Sequence, residues 1–291
     1  MPFFSRFYSR NIISTTNVSH ARKTKKSGRK QPMKKATLIT GAGSGLGKEF
    51  ALLYASKGNN VVLVDINSEA IASVKEEIQK KDPNIEIFTF VADLAKEETY
   101  AGVLAFTKEN GLFINNLVNC AGFGDCKDFK DMEVYKQIAM TNVCCNALLY
   151  FSRVYLDDML TNEEGHIINV CSIAGLYPGP YMCTYHAVKG YVYNLSSAIS
   201  FELRNTNVKC LTLCPGPFNS KFVAEAHNDF TFKKKKPIEA KEVAQIGYTQ
   251  SMKGNDFYII GKGNRFQYFM SRFVTRKTLL KTSAKNLKAK I

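Results

Sequence analysis

Between residues 36 and 260 the apolar positions follow two alternating patterns. Short unbroken apolar runs, the signature of strands buried on both faces, are separated by stretches where apolar residues recur every three or four positions, as on one face of a helix. Ala36-Thr-Leu-Ile-Thr40 and Asn60-Val-Val-Leu-Val-Asp65 are the first two runs; Leu46, Phe50, Leu53 and Tyr54 lie at helical spacing between them. The same reading predicts a helix over 68–80, a strand over 85–91 ending at Asp93-Leu94, and a helix over 96–109. It predicts a strand from Asn116 through Asn119 into a turn at Ala121-Gly122, and two helices over 132–159 jointed near Thr141-Asn142. A fifth strand covers 166–171, a helix from Tyr185 buries Val188, Val192, Leu195, Ile199 and Leu203, a sixth strand covers 208–214, and a seventh 257–260. Strand and helix alternating at this spacing specify a parallel sheet covered by helices on both faces: a single α/β, doubly wound domain of about seven strands over 36–260.

Charge redraws the ends of the chain. The net charge of +15 is concentrated in two segments without a single Asp or Glu: residues 1–35, with ten Lys and Arg, and residues 261–291, with nine. That leaves 21 of the 40 basic residues against all 25 acidic ones in the body, which is therefore mildly acidic at −4. The first segment, rich in Arg, Lys, Ser and Thr with Phe3, Phe4, Phe7 and Tyr8 interleaved, has the composition both of an organellar presequence, mitochondrion-like, and of a basic tail with no address. Met33 is also a candidate second start. The presequence reading places the protein in an organelle; the other leaves it cytoplasmic or membrane-associated. Residues 261–291 read as basic amphipathic helices, suited either to peripheral membrane contact or to capping the domain or an oligomer interface. The eight cysteines form no Cys-x-x-Cys pair and have no His at ligand spacing, which points to a reducing compartment and away from a zinc site. No apolar run reaches the length of a bilayer span.

Three groups of residues carry chemistry. Gly41-Ala-Gly-Ser-Gly-Leu-Gly47 lies between the first strand and first helix, where glycines permit a tight turn and a helix N-terminus offers free N–H groups to a pyrophosphate. Asp65 ends the second strand 18 residues after Gly47, where a carboxylate accepts hydrogen bonds from an adenosine ribose and repels a 2′-phosphate. Tyr185 and Lys189 are four apart on a helix, so the ammonium lies one turn from the phenol and favours its ionised form. Ser172, at the end of the fifth strand, is in a position to hold a substrate oxygen against Tyr185. Tyr-x-x-x-Lys on its own is equally the pattern of a packed Tyr and an unrelated surface Lys.

Taken in order, these residues resemble the short-chain dehydrogenase/reductase family of the Tyr-x-x-x-Lys type over essentially all of 36–260. The family's Thr-Gly-x-x-x-Gly-x-Gly is matched by Thr40, Gly41, Gly45 and Gly47, with Ser44 and Leu46 inside it. Its acid after the third strand is matched by Asp93, beside Leu94, and its Asn-Asn-Ala-Gly by Asn119-Cys120-Ala121-Gly122, with Cys in place of the second Asn. Its Ser, Tyr and Lys are Ser172, Tyr185 and Lys189, its helix Asn is Asn142, and its Pro-Gly is Pro215-Gly216, followed by Ser220. The resemblance implies a Rossmann-type fold and hydride transfer between a nicotinamide cofactor and an alcohol or carbonyl carbon. Tyr185 would exchange the proton, Lys189 tune it and bind ribose, Ser172 position the oxygen, and Asn142 anchor a relay water. It also implies a homodimer or homotetramer. Asp65, with no Arg in the residues that follow it, favours NAD over NADP.

Two other functions fit parts of the sequence: a catalytically silent dinucleotide-binding sensor on the same fold, and a basic membrane-surface or nucleic-acid binder working through the tails. The first would ordinarily have lost Tyr185 or Lys189, and the acidic body argues against nucleic acid. For substrate, Pro217 to Lys236, with Phe218, Phe222, Phe230 and Phe232 and then Lys233 to Lys236, reads as a lid whose Phe residues either face an apolar cleft or simply pack the lid itself, the Lys run being a solvated turn. Further on, Phe266, Tyr268, Phe269, Met270 and Phe273 among nine cations resemble the arrangement in members of the family that act on lipophilic substrates, acyl, steroid-like or long-chain; a helix capping the domain or an oligomer interface is the alternative.

Overall fold

The computed structural model describes residues 33–219 and 238–288. The basic segment before Met33 and residues Ser220 to Pro237, which hold Phe222, Phe230, Phe232 and the Lys run of the expected lid, lie outside the described residues; Phe218 is described and packs against the apolar core. Seven parallel strands form one sheet: β1 (Lys34–Thr40), β2 (Asn60–Asp65), β3 (Ile87–Val91), β4 (Leu112–Asn119), β5 (Gly165–Val170), β6 (Val208–Cys214) and β9 (Phe257–Ile259), in the order β3-β2-β1-β4-β5-β6-β9. A two-residue pair, β7 (Phe218–Asn219) with β8 (Ile238–Glu239), stands apart from it. The chain reverses its direction of travel across the sheet between β1 and β4, which opens a crevice at their carboxyl ends.

The unbroken apolar runs have the burial expected of inner parallel strands. All eight residues of β4 are buried, and successive side chains serve opposite faces. Ile39 and Leu63 pack with Phe50 and Tyr54 of α1 (Gly45–Ser56), Ile71 of α2 (Ser68–Lys81) and Val243 of α7 (Ala240–Met252). Leu38, Val62 and Leu117 pack on the other face with Tyr100 of α3 (Glu98–Glu109) and Phe151 and Tyr155 of α5 (Ala147–Thr161).

Several boundaries move for local reasons. Helix α3 begins at Glu98, two residues late, because the Asp93 carboxylate accepts from the Ala95 N–H and the Asp93 carbonyl from the Lys96 N–H, closing a turn first. Strand β4 starts at Leu112 because Leu112, Phe113 and Ile114 continue the buried run. The joint near Asn142 is a widened π turn, Asn142–Asn146, linking α4 (Val134–Thr141) to α5. Helix α6 (Cys183–Glu202) starts two residues before Tyr185. After β9 the chain forms α8 (Lys262–Ser271) and α9 (Arg276–Lys288).

Candidate active site

A cavity of about 1570 Å³ occupies the crevice. Its floor at one end is the β1–α1 loop, where Gly41 holds φ +69°, and a Cβ on Gly47 would run into the Gly41 carbonyl oxygen. The loop can therefore close on itself only with glycine at these two positions. Gly41, Ser44, Gly45, Leu46 and Gly47 all line the cavity. Asp65 faces it from the end of β2, its carboxylate fixed by the Gly43 N–H at 2.9 Å and the Asn67 N–H at 3.0 Å. Lys48, the nearest cation on α1, is drawn to Glu77 of α2 at 2.8 Å. Asp93 and Leu94 form the next wall, and Ala121, Gly122, Pro215 and Gly216 continue it.

At the other end stand Ser172, Tyr185 and Lys189, all lining the same cavity. Ser172 ends the β5 run and caps a short 3₁₀ turn, its Oγ accepting from the Ala174 N–H at 3.1 Å and hydrogen-bonded to the Tyr185 phenol. Lys189 is buried and donates to the Val170 carbonyl at 2.9 Å, with Nζ 5.9 Å from the centre of the Tyr185 ring. The sequence argument captured one side of the balance on Tyr185. Burial pushes the phenol above its ordinary value, and the Lys189 charge and the Ser172 hydrogen bond oppose that push without overcoming it. For Lys189 burial works against the charge, but the acidic groups around it, Cys144 and Tyr185 foremost, keep it above the usual lysine range and so an ammonium. Cys120, at the place of the family's second Asn, has its thiol pushed up to about 12 by burial against the pull of Lys189, and is a neutral thiol.

Three expected site residues lie outside the cavity lining. Thr40 Oγ1 accepts from the Cys120 and Ala121 N–H groups at 3.0 and 3.1 Å and so ties the end of β1 to the turn after β4. Asn119 is buried beneath the crevice, donating to Asn169 Oδ1 at 2.8 Å and Ser152 Oγ at 3.1 Å, while Asn169 donates to Ser196 Oγ at 2.9 Å. This ladder pins α5, β4, β5 and α6 together. Asn142 donates to the Ala95 carbonyl at 2.8 Å and accepts from Asn146 at 2.9 Å, so its side chain is engaged by the β3–α3 loop.

The amphipathic segment read from the sequence after residue 260 supplies a roof to the cavity, on which the contacts of Gln267 and Leu287 were not foreseen. Phe266, Gln267 and Met270 of α8 and Leu279 and Leu287 of α9 line the cavity, and Leu287 packs with Cys126 and Met182 against Tyr185. Gln267 donates to the Tyr177 hydroxyl at 3.2 Å, joining this roof to the loop after Ser172. The signal was present in the helical spacing of Phe266 and Met270, but nothing local says which surface they meet.

Residues 35–230 match the short-chain dehydrogenase family model, and the chain belongs to that family. It is an oxidoreductase of the short-chain dehydrogenase type, acting on CH–OH and C=O groups. An uncharacterized oxidoreductase of Staphylococcus aureus (strain USA300) is 27% identical over 216 residues, covering 74% of this chain and 91% of that protein. One from Staphylococcus saprophyticus is 28% identical over 211 residues, covering 72% and 88%. Among solved structures, a 7β-hydroxysteroid dehydrogenase superposes with TM-score 0.77 at 22% identity over 87% of this chain and 97% of its own. A short-chain dehydrogenase/reductase from Burkholderia phymatum in complex with NAD gives 0.75 at 22% over 83% and 94%. A short-chain dehydrogenase from Sphingobium yanoikuyae in complex with NADPH gives 0.74 at 21% over 83% and 94%. At these identities the structural likeness establishes the fold.

Proposed function

We propose that this short-chain dehydrogenase interconverts a lipophilic alcohol and its carbonyl compound, using NAD(H), with Tyr185 as the proton carrier. The observation that carries the reading is the convergence of Ser172, Tyr185 and Lys189 on one cavity that extends to the glycine loop and Asp65. A dinucleotide fits the residues present. The glycine loop and the start of α1 would hold a pyrophosphate, Asp65 would accept from an adenosine ribose, and Asp93, Leu94, Ala121 and Gly122, which line the same cavity, would flank the base. When bound, the nicotinamide supplies or takes up the hydride. Ser172 hydrogen-bonds the substrate oxygen and holds it against Tyr185. In reduction Tyr185 gives its proton to that oxygen; in oxidation the phenolate takes it back. Lys189 favours the phenolate and has further N–H groups for ribose hydroxyls. Thr40 and Asn119 act beneath the site by holding its walls, and Asn142 by holding the Ala95 turn.

The apolar roof supports a lipophilic substrate: Phe266, Met270, Leu279 and Leu287 line the cavity, and Leu287 packs at the tyrosine end. The exposed Val134, Tyr135 and Ile138 of α4 support self-association as a homodimer or homotetramer. A silent sensor is disfavoured because nothing in the Ser-Tyr-Lys set is missing. The test is Tyr185→Phe assayed on carbonyl compounds of graded chain length. Turnover is expected to fall by roughly 10²–10⁴-fold, the usual range for a general acid, while NAD(H) affinity is retained. In the unmodified enzyme kcat/KM is expected to rise with chain length. Full activity in the Phe variant would end the assignment of Tyr185, and a flat chain-length profile the assignment of substrate.

A further inference from the structure

We propose that α8 and α9 dock the enzyme on an anionic phospholipid bilayer, with the mouth of the cavity turned to the headgroups; this rests on the lipophilic-substrate reading only for what passes through the mouth. Helix α8 has no buried residue. It is held to the body by Tyr268, whose hydroxyl is 3.0 Å from that of Tyr193 and whose ring lies 5.8 Å from that of Phe257, and by the Gln267–Tyr177 hydrogen bond. On the side away from Tyr268, Phe266, Phe269 and Met270 of α8 are 66, 53 and 41% exposed, and Phe273, in the turn just past its end, is 69% exposed with its ring 5.2 Å from that of Phe269. Phe266 and Met270 reach the cavity, but Phe269 and Phe273 do not line it, and contact with water gives these two rings no reason to stand out.

Charge identifies the occupant. Residues 261–291 hold nine cations and no acid, whereas residues 36–260 are net −4. Arg265 stacks on Tyr258 and Arg272 on Tyr268, so these two guanidinium groups are held toward the body, while Lys262, exposed and one turn before Phe266, shares the face of the stripe. In α9, Lys277, Lys281 and Lys285 recur every fourth residue on the exposed face, away from buried Ser283 and Leu287. An apolar stripe bordered by cations is the pattern of a helix lying in the interface of an anionic membrane. A second copy of this chain fits poorly, since pairing two such faces would oppose cation to cation. The acidic body is repelled by the same membrane, which orients the molecule with the helices down. Phe266, Met270 and Val274 also line the cavity, so a bilayer on this face meets its mouth. An apolar substrate would then pass from acyl chains towards Tyr185 without crossing water.

The test is sedimentation of the full chain with vesicles of phosphatidylcholine alone or mixed equally with phosphatidylglycerol, beside the double variant Phe269→Ser/Phe273→Ser. Neither Phe lines the cavity. Binding is expected to the anionic vesicles, weakening as salt rises, and to fall at least roughly tenfold in the double variant, since each buried Phe contributes about a tenfold factor or more. Turnover of a small water-soluble ketone should be unchanged, which shows the variant folded. Equal binding by the two proteins would overturn the proposal, since it would assign the attachment to the N-terminal basic segment. So would absence of binding to anionic vesicles, a dimer abolished by the double variant, or a preference for duplex DNA over vesicles. Vesicle binding lost in the double variant supports docking whatever the chain-length profile shows, so the two readings fail separately.

Discussion

Cofactor choice is governed by Asp65, and replacing it with Ser tests the geometry of the whole cofactor end. The carboxylate is not free to swing aside: the Gly43 N–H holds one oxygen and the Asn67 N–H the other. Among the described residues the nearby α1 cation does not compensate it either, because Lys48 is engaged by Glu77 at 2.8 Å. A ribose 2′-phosphate about 4 Å from the carboxylate would meet a repulsion of about 1 kcal/mol per charge pair if fully hydrated, and about 4 kcal/mol at the effective dielectric of a protein surface. Asp65 is half-buried, so the value lies between these limits. With each ~1.4 kcal/mol worth a factor of ten, NAD(H) should exceed NADP(H) in kcat/KM by more than about tenfold. Asp65→Ser removes the anion and should narrow that ratio by a similar factor. It also weakens two hydrogen bonds, each worth about 1 kcal/mol, so a lower Tm is expected in the same variant. The assay is the steady-state rate with both cofactors at fixed substrate, with thermal denaturation as a control. NADP(H) preference in the unmodified enzyme, or an unchanged ratio in the variant, would refute the placement of the ribose at Asp65.

Lys189→Met removes the charge that opposes the effect of burial on Tyr185, so the phenol's pKa should rise further. Alcohol oxidation needs the phenolate, so the rising limb of kcat/KM against pH should move to higher pH, with the loss of rate greatest near neutrality and smaller in alkali; an unmoved limb would show that Lys189 does not tune Tyr185. Asn119→Ala breaks the ladder between Asn169 and Ser152 and strands buried polar atoms, at a cost of about 1–3 kcal/mol. Thermal denaturation should show a lower Tm while isothermal titration shows NAD(H) affinity retained. A large loss of affinity at full stability would instead make Asn119 a direct cofactor ligand.

The chain's local patterns carried most of the fold. The strand at 60–65 and the buried runs of β1 and β6 were legible because a parallel strand covered on both faces needs apolar residues throughout, which no helix or loop pattern imitates over so many consecutive elements. The glycine loop was legible because its meaning depends on its immediate neighbours, a strand before and a helix after. Tyr185 and Lys189 were legible as a pair because four residues on a helix is a fixed distance. Tertiary structure decided matters in which distant segments meet. Asn119 and Thr40 carry the family's motif positions, yet the sheet turns them beneath the crevice, where they bind neighbouring elements. Asn142 faces the Ala95 turn because the widened turn at 142–146 directs it there. The direction of the Tyr185 shift required knowing how completely the cavity walls exclude water, a sum over many elements, whereas helical spacing reveals only the one charge beside it. Residues 261–291 could be read as amphipathic from their own periodicity. That one side of them roofs the tyrosine end of the cavity, with Leu287 against Cys126 and Met182, follows only from where β9 leaves the chain at the edge of the sheet. Periodicity fixes which residues share a face; the surface that face meets is set by segments far away in the chain.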